Sequence, residues 1–265
     1  MTEIDPDKSV YNYDMTEIDP DKDTIFLSDD KIFYTIEGEG EYVGQPSVFM
    51  RMSMCNLTCI GFKSEDAPYG CDSYVSWSIK NKMTFKEILS LMEEQGYDQY
   101  LRKGAILKLT GGEPLIQQKQ LLKFLDYMFL QWGWTPRIDF ETNATLMPHP
   151  AWNSRIKATF TTSPKLSSNG DPEEKRYITE TLAWHSQHNS GFKFVVQSEE
   201  DMKEIMENYI TKFNIDRSRV WLMPCAGSRA EHEKVCADVA ELAKQYNFNF
   251  SPRLHLVIWD KALKV

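Results

Sequence analysis

Apolar, β-prone runs alternate with helical patterns along most of this chain. The runs are 47–52, 105–109, 137–141, 157–162, 191–197, 219–223 and 250–255. Several are nearly continuous hydrophobic stretches, which suits strands covered on both faces. The helices between them announce their starts. Thr84-Phe-Lys-Glu87 has the form of a capping box, with Ile88, Leu91 and Met92 following and Gly96 as a C-terminal stop. Ser198-Glu-Glu-Asp201 opens a second helix, with Met202, Ile205, Met206 and Tyr209 on one face. Ser228-Arg-Ala-Glu231 opens a third, with Val235, Val239 and Leu242 along one stripe. Alternating strand and helix implies an α/β fold with a parallel sheet and helical crossovers. Seven such runs predict an open, partial β/α barrel rather than a closed eight-fold one.

The first residues stand apart from this pattern. The octet Met1–Lys8 recurs unchanged at Met15–Lys22. Two short copies are too few for a repeat architecture. Rich in Asp and with little to bury, residues 1–24 read as a mobile tail, and 25–265 as a single domain.

Composition narrows the class. Of 265 residues, 42% are hydrophobic and 12% aromatic, as in ordinary globular proteins. No apolar run approaches the ~20 residues of a membrane span. The acidic start lacks a signal-peptide core, so a cytoplasmic location is expected. A net charge of −9 argues against nucleic-acid partners.

The five cysteines, Cys55, Cys59, Cys71, Cys225 and Cys236, are odd in number and unevenly placed, unlike a secreted disulfide framework. In a reducing compartment, clustered thiols point to metal ligands or catalysis. Cys55-Asn-Leu-Thr-Cys59 is followed by eleven residues and then Cys71. Cys55 begins the loop after the run 47–52, at the strand end where α/β sheets place their chemistry. Three thiolates suit three irons of a cubane, with the fourth iron left open to a small molecule. The competing reading is a zinc knot with a distant fourth ligand, although the paired Cys-x-x-Cys spacing of structural zinc is absent. Cys225 and Cys236 read as small packed hydrophobes. His149, His185, His188 and His232 show no partner pattern.

Cys55-Asn-Leu-Thr-Cys59 resembles the cluster loop of the radical S-adenosylmethionine (SAM) superfamily. Thr110-Gly-Gly-Glu-Pro114, after an apolar run, is similar to that superfamily's Gly-Gly-Glu-Pro segment. Further segments resemble the 7-carboxy-7-deazaguanine synthase family. They are Thr35-Ile-Glu-Gly-Glu-Gly40, Phe49-Met-Arg51, Cys71-Asp-Ser-Tyr-Val-Ser-Trp77, Ser163-Pro-Lys165 and the stretch from Leu254-His255 to Val265. The resemblance covers the chain from about residue 32 onward. Two departures stand out. Glu37 occupies a position where Gln is common. Eleven residues separate Cys59 from Cys71 where two are usual, so 60–70 reads as an inserted loop.

The resemblance implies an open barrel of the radical SAM type and a lyase activity. A 4Fe–4S cluster reductively cleaves SAM, and the radical so formed contracts 6-carboxy-5,6,7,8-tetrahydropterin to 7-carboxy-7-deazaguanine, releasing ammonia. It implies Cys55, Cys59 and Cys71 as cluster ligands and Ser73 at a magnesium ion. It implies Gly112, Glu113, Glu141, Ser163, Pro164, Lys165, Met223 and Pro224 around SAM. Ile36, Glu37, Gly38, Arg51, Thr110, His255 and Val265 would surround the substrate. No side chain is implied as a catalyst, because cluster and SAM carry the radical chemistry. An external electron donor such as a flavodoxin and a homodimer are implied partners. The residues fit their roles: Arg51 suits a carboxylate through two parallel hydrogen bonds, and Glu37 suits the N–H groups of a guanidine-like edge. A glycyl-radical activating enzyme and a zinc-stabilised binding module are the competing functions.

Overall fold

The protein is described from a computed structural model, which covers residues 17–63, 65 and 68–261. Its strands are β1 (Thr24–Ile36), β2 (Pro46–Met52), β3 (Asn81–Thr84), β4 (Ile106–Gly111), β5 (Ile138–Thr142), β6 (Thr159–Thr162), β7 (Ser190–Val196), β8 (Val220–Pro224) and β9 (Asn249–Phe250). Its helices are α1 (Tyr74–Ser78), α2 (Phe85–Glu94), α3 (Tyr97–Arg102), α4 (Gln118–Trp132), α5 (Ala151–Ser154), α6 (Glu173–Arg176), α7 (Thr179–Gln187), α8 (Glu199–Glu204), α9 (Arg229–Tyr246) and α10 (Leu254–Trp259).

The nine strands form one sheet in the order β3-β1-β2-β4-β5-β6-β7-β8-β9. From β2 to β9 every pairing is parallel, and β1 runs antiparallel to both β2 and β3. The sheet is open, as the alternation predicts. The capping signals also hold. Thr84 and Glu87 form a reciprocal capping box, as do Ser198 and Asp201, and Ser228 accepts from the Glu231 N–H. Among the described residues no helix is long and apolar enough to cross a membrane.

Two strands depart from the sequence pattern. In β1, Ser28-Asp-Asp-Lys31 interrupts the apolar positions, the pairing with β2 slips there, and Lys31 has φ +53°. The expected strand 250–255 is also cut short. β9 ends at Phe250, Pro252 has no N–H to continue a ladder, and 254–259 is helical. Residues 17–23, counted with the tail from their composition, dock on the domain. Ile18 packs against the core, and the Lys86 and Phe85 N–H groups donate to Pro20 and Asp23. The first octet lies outside the described residues.

The two faces of the sheet differ. Leu107, Leu109, Phe140 and Phe160 pack outward on Phe124 and Trp152, and Phe192, Phe194 and Leu222 pack on Ile205 and Tyr209. Each such side chain contributes about 1.5–3 kcal/mol. The alternate positions Lys108, Thr110, Asp139, Glu141, Thr161 and Lys193 carry the polar groups. Runs that read as apolar on both faces therefore bury charge on one.

The concave side is closed by the turn between β1 and β2. The turn is pinned at its base by Glu37 N–H to Gln45 O and Gly44 N–H to Glu37 O, both 2.8 Å. Its tip meets the far end of the chain. Gly40 N–H donates to Ser251 Oγ at 2.7 Å, and Leu254 N–H to Gly38 O at 2.9 Å. A Cβ on Gly38 would stand 2.3 Å from His255 Nδ1, so a larger residue there would displace the imidazole.

Candidate active site

Parallel strands end on the same edge, so β2, β4, β5, β6 and β8 bring Arg51, Thr110–Glu113, Glu141, Ser163–Lys165 and Met223–Pro224 to one rim. Arg51 is in register with Thr110. Its guanidinium lies over the Phe33 ring, 5.6 Å from the centroid.

The cysteine loop leaves β2 through Met54 (φ +74°) and turns again at Cys59 (φ +52°), both in the left-handed region. The Asp171 carboxylate holds it by accepting from Thr58 N–H, Thr58 Oγ and Cys59 N–H at 3.1, 2.8 and 2.8 Å. Asn169 Nδ2 donates to Cys59 Sγ at 3.6 Å, and Asn143 Nδ2 stands 4.0 Å from Cys55 Sγ. Burial pushes the Cys55 thiol up to about 12 and the Cys71 thiol up to about 11, and raises Cys59 as well. Neighbouring thiols add to this, with Cys55 feeling both Cys59 and Cys71.

Three desolvated thiols held together resist ionisation on their own. A bound metal cluster would supply the positive charge that thiolates here require. Among the described residues no three His, Cys, Asp or Glu side chains converge closely enough for one metal ion.

Gly111 and Gly112 form the wall opposite. Gly111 has φ +129°, and a Cβ there would stand 2.1 Å from Met52 O. On Gly112 it would stand 2.0 Å from Met54 O and 2.9 Å from Cys55 Cβ. The Gly112 and Glu113 N–H groups donate to Met52 O and Met54 O at 3.2 and 2.9 Å. The sequence suggests that these glycines admit a ligand. In the structure the backbone they admit is that of the cysteine loop.

Glu113, expected at SAM, is turned inward. It is fully buried and accepts from Leu115 N–H, Thr142 Oγ and Asn143 N–H at 3.0, 2.9 and 2.7 Å. It braces the ends of β4 and β5 against each other. Burial, outweighing these donors, pushes its carboxyl up to about 7.

The inserted loop is packed at both ends. A Cβ on Gly61 would meet Ser168 O at 2.0 Å, and on Gly70 Cys59 O at 2.4 Å. Ser73 follows, its Oγ donating to Asp72 Oδ1 at 3.0 Å. Ser163 Oγ accepts from Lys165 Nζ at 2.9 Å.

Below the rim, carboxylates alternate with cations. Lys108 Nζ lies 2.6 Å from Asp139 and 2.9 Å from Glu37, all three buried. Lys193 Nζ bridges Glu141 and Glu39, and Thr110 Oγ donates to Glu141 at 3.2 Å. Arg253 Nε donates to Glu39 at 2.9 Å, while its Nη atoms reach Asp72 at 2.5 Å and the Ala226 carbonyl. His255 Nε2 stands 4.0 Å from Glu39. Burial opposes ionisation of Glu39, but Lys193 and Arg253 hold its carboxyl well below the usual range. Burial wins at Glu37, whose carboxyl is raised despite Lys108.

Sequence reasoning reached Glu37, Gly38, Arg51, Thr110, Glu141 and His255. It missed Glu39, Asp72, Lys108, Asp139, Lys193 and Arg253. The signal was present at Lys108 and Lys193, single charges at alternate positions of otherwise apolar strands. Ile36 ends β1 where it pairs with Pro46, at the base of the turn. Val265 lies outside the described residues.

No protein-family model matches the chain. A 7-carboxy-7-deazaguanine synthase of Pyrobaculum aerophilum is 31% identical over 240 residues, spanning 88% of this chain and 94% of that protein. Those of Hyperthermus butylicus and Clostridium acetobutylicum are 31% and 30% identical, over 86% of this chain and 91% and 94% of theirs. The crystal structure of QueE from Escherichia coli shares the fold, with TM-score 0.66 at 19% identity over 92% of this chain and all of that one. An open parallel barrel with three thiols after its first parallel strand, and a Gly-Gly turn against them, defines a radical SAM enzyme. Its relatives narrow the class further. The chain belongs to the 7-carboxy-7-deazaguanine synthase family, radical SAM lyases of deazapurine biosynthesis. Membership implies a 4Fe–4S cluster and SAM, which the buried thiols and their amide donors fit.

Proposed function

We propose that the chain converts 6-carboxy-5,6,7,8-tetrahydropterin to 7-carboxy-7-deazaguanine with loss of ammonia, and that its site residues divide the work as follows. The observation that carries this reading is the meeting, across one rim, of a three-thiol loop and a pocket lined by paired charges. Bound cluster and SAM supply a 5′-deoxyadenosyl radical. Cys55, Cys59 and Cys71 hold the cluster, and Asn143 and Asn169 direct N–H groups at two of the sulfurs, which tunes their basicity. Glu141, Ser163, Pro164, Lys165, Met223 and Pro224 line the SAM side, with Gly112 holding that wall close to the cysteines. Arg51 pairs with the substrate carboxylate, and Thr110 and His255 flank it. The turn Ile36–Gly38 receives the guanidine-like edge. Ser73 offers a hard oxygen to magnesium.

The enzyme works as a cytoplasmic homodimer, with no nucleic-acid or membrane partner. Its electron donor, a flavodoxin-like protein, approaches over the cluster loop, where Ile60, Tyr69 and Val75 are exposed. The test is an anaerobic assay with SAM, a reductant, the carboxy-tetrahydropterin and varied magnesium. Deazaguanine and 5′-deoxyadenosine are measured separately. Steady 5′-deoxyadenosine with no deazaguanine would overturn the substrate assignment. A Ser73→Ala variant that answers magnesium as the wild type does would remove the metal from Ser73.

A further inference from the structure

The interval between Cys59 and Cys71 raises a physical question that the family motif does not answer. A two-residue interval sets the third thiolate by covalent geometry alone. Eleven residues do not, because loop closure tolerates many end positions at similar cost. Something else must set where Cys71 stands.

The glycine contacts at Gly61 and Gly70 fold the loop back on itself and on the 167–169 turn, local to the cysteines. The residue next to Cys71 makes a contact of another kind. Asp72 Oδ2 is 2.5 Å from Arg253 Nη2, across 181 positions of sequence. The same guanidinium donates through Nε to Glu39 at 2.9 Å and through its other Nη to the Ala226 carbonyl. Arg253 is thus a three-way joint between the turn that closes the barrel, the loop after β8 and the segment Cys71–Ser73. Its side chain is 12% exposed against 45% for Asp72, so the joint is anchored on the inner side and reaches outward to the loop. The planar fork fixes direction as well as distance, which a single ammonium does not.

We propose that Arg253 is a positioning residue: its bonds to Asp72 and Glu39 set the third cluster ligand, and Ser73 beside it, against the substrate pocket. This inference rests on the pocket assigned above. The C-terminal segment thereby replaces the constraint that a short cysteine interval provides. Arg253 touches neither cluster nor substrate in this role and acts through Asp72 and Glu39.

The experiment compares wild type, Arg253→Met, Arg253→Lys and Asp72→Asn after anaerobic reconstitution. The readouts are iron per chain, the EPR spectrum of the reduced cluster with and without SAM, and deazaguanine formed per 5′-deoxyadenosine. Arg253→Met is expected to bind iron but to lose coupling, the product ratio falling about tenfold or more, since small misplacements of reacting groups are costly. Its EPR spectrum with SAM should broaden into a mixture of forms. Arg253→Lys should recover part of the ratio. Asp72→Asn keeps Arg253 on Glu39 and Ala226, so it tests the loop contact even if Arg253→Met fails to fold, and its ratio should fall in the same direction. Wild-type ratios and spectra in Asp72→Asn, or in a folded Arg253→Met, would overturn the role of Arg253. A wild-type protein that cleaves SAM and yields no deazaguanine would overturn the pocket assignment instead.

Discussion

The rim that carries the cysteines and the floor beneath it are built in opposite ways. The rim is backbone against backbone: Gly111 and Gly112 on Met52–Cys55, Gly70 on Cys59, Gly61 on Ser168. The floor is charge against charge: Asp139, Lys108 and Glu37, then Glu141, Lys193, Glu39, Arg253 and Asp72. A close backbone approach demands one residue type at one position, and a short motif records it. A buried ion pair demands two residues at arbitrary separation, 31 positions for Lys108 and Asp139 and 214 for Arg253 and Glu39. The thiol side of the site is therefore local in sequence, and the charged floor is not.

The sharpest break of this comparison lies in the rim. Cys55→Ala, Cys59→Ala and Cys71→Ala should each lose the cluster and all SAM cleavage, read as iron content and 5′-deoxyadenosine. Gly112→Val should reach the same end by forcing the cysteine loop away from β4. Cys225→Ala and Cys236→Ala should keep both signals. An intact cluster in Cys71→Ala would move the third ligand elsewhere.

In the floor the expected loss is of stability. Lys108→Met leaves Asp139 and Glu37 buried without their cation, and breaking such a pair costs about 3–5 kcal/mol. Denaturant unfolding of the apoprotein measures it. A change below about 1 kcal/mol, the range of exposed pairs, would show the floor to be solvated and erase the contrast.

Arg51 sits where rim and floor meet. Arg51→Ala should weaken apparent substrate binding by about 2–5 kcal/mol, the cost of stranding one partner of a buried charged pair. Uncoupled SAM cleavage should survive, and Arg51→Lys should rescue only in part. Normal product formation at low substrate would make the arginine structural.

The smallest effect concerns Glu113, a carboxylate buried in the rim. Its folded pKa of about 7 stands above the ordinary 4.5. The folded state therefore holds the proton more tightly than the unfolded state. This stabilisation is complete below the ordinary value and is lost as pH rises through about 7. Glu113→Gln should flatten the dependence of Tm on pH between about 5 and 8. An unchanged slope would assign the titration to another group.

Much of this contrast explains what the sequence disclosed. The cysteine loop, the Gly-Gly turn, the capping boxes and most parallel strands each announce themselves within a few residues. Strand β1 did not, because its bulge at Ser28–Lys31 carries charge through the middle of the strand. Arg253 did not either. It gives no local sign that it faces Glu39 and Asp72, since that depends on how the last strand and the first turn meet in space. Glu113 lay in view, but the motif does not tell a buried brace from a ligand.

The closing turn also fixes an order of assembly on the ribosome. The contacts that hold the Met52–Cys59 end of the cysteine loop, as far as Asp171, are available once Asp171 has been made. Gly38 and Gly40 meet Leu254 and Ser251, and Glu39, already within reach of Lys193, meets Arg253, some 80 residues later. At about 5–20 residues per second, that is an interval of several seconds. During translation the first two thiols can be held in place before the barrel is closed, and the seam between residues 38–40 and 251–254, with the Arg253–Asp72 contact beside Cys71, forms last.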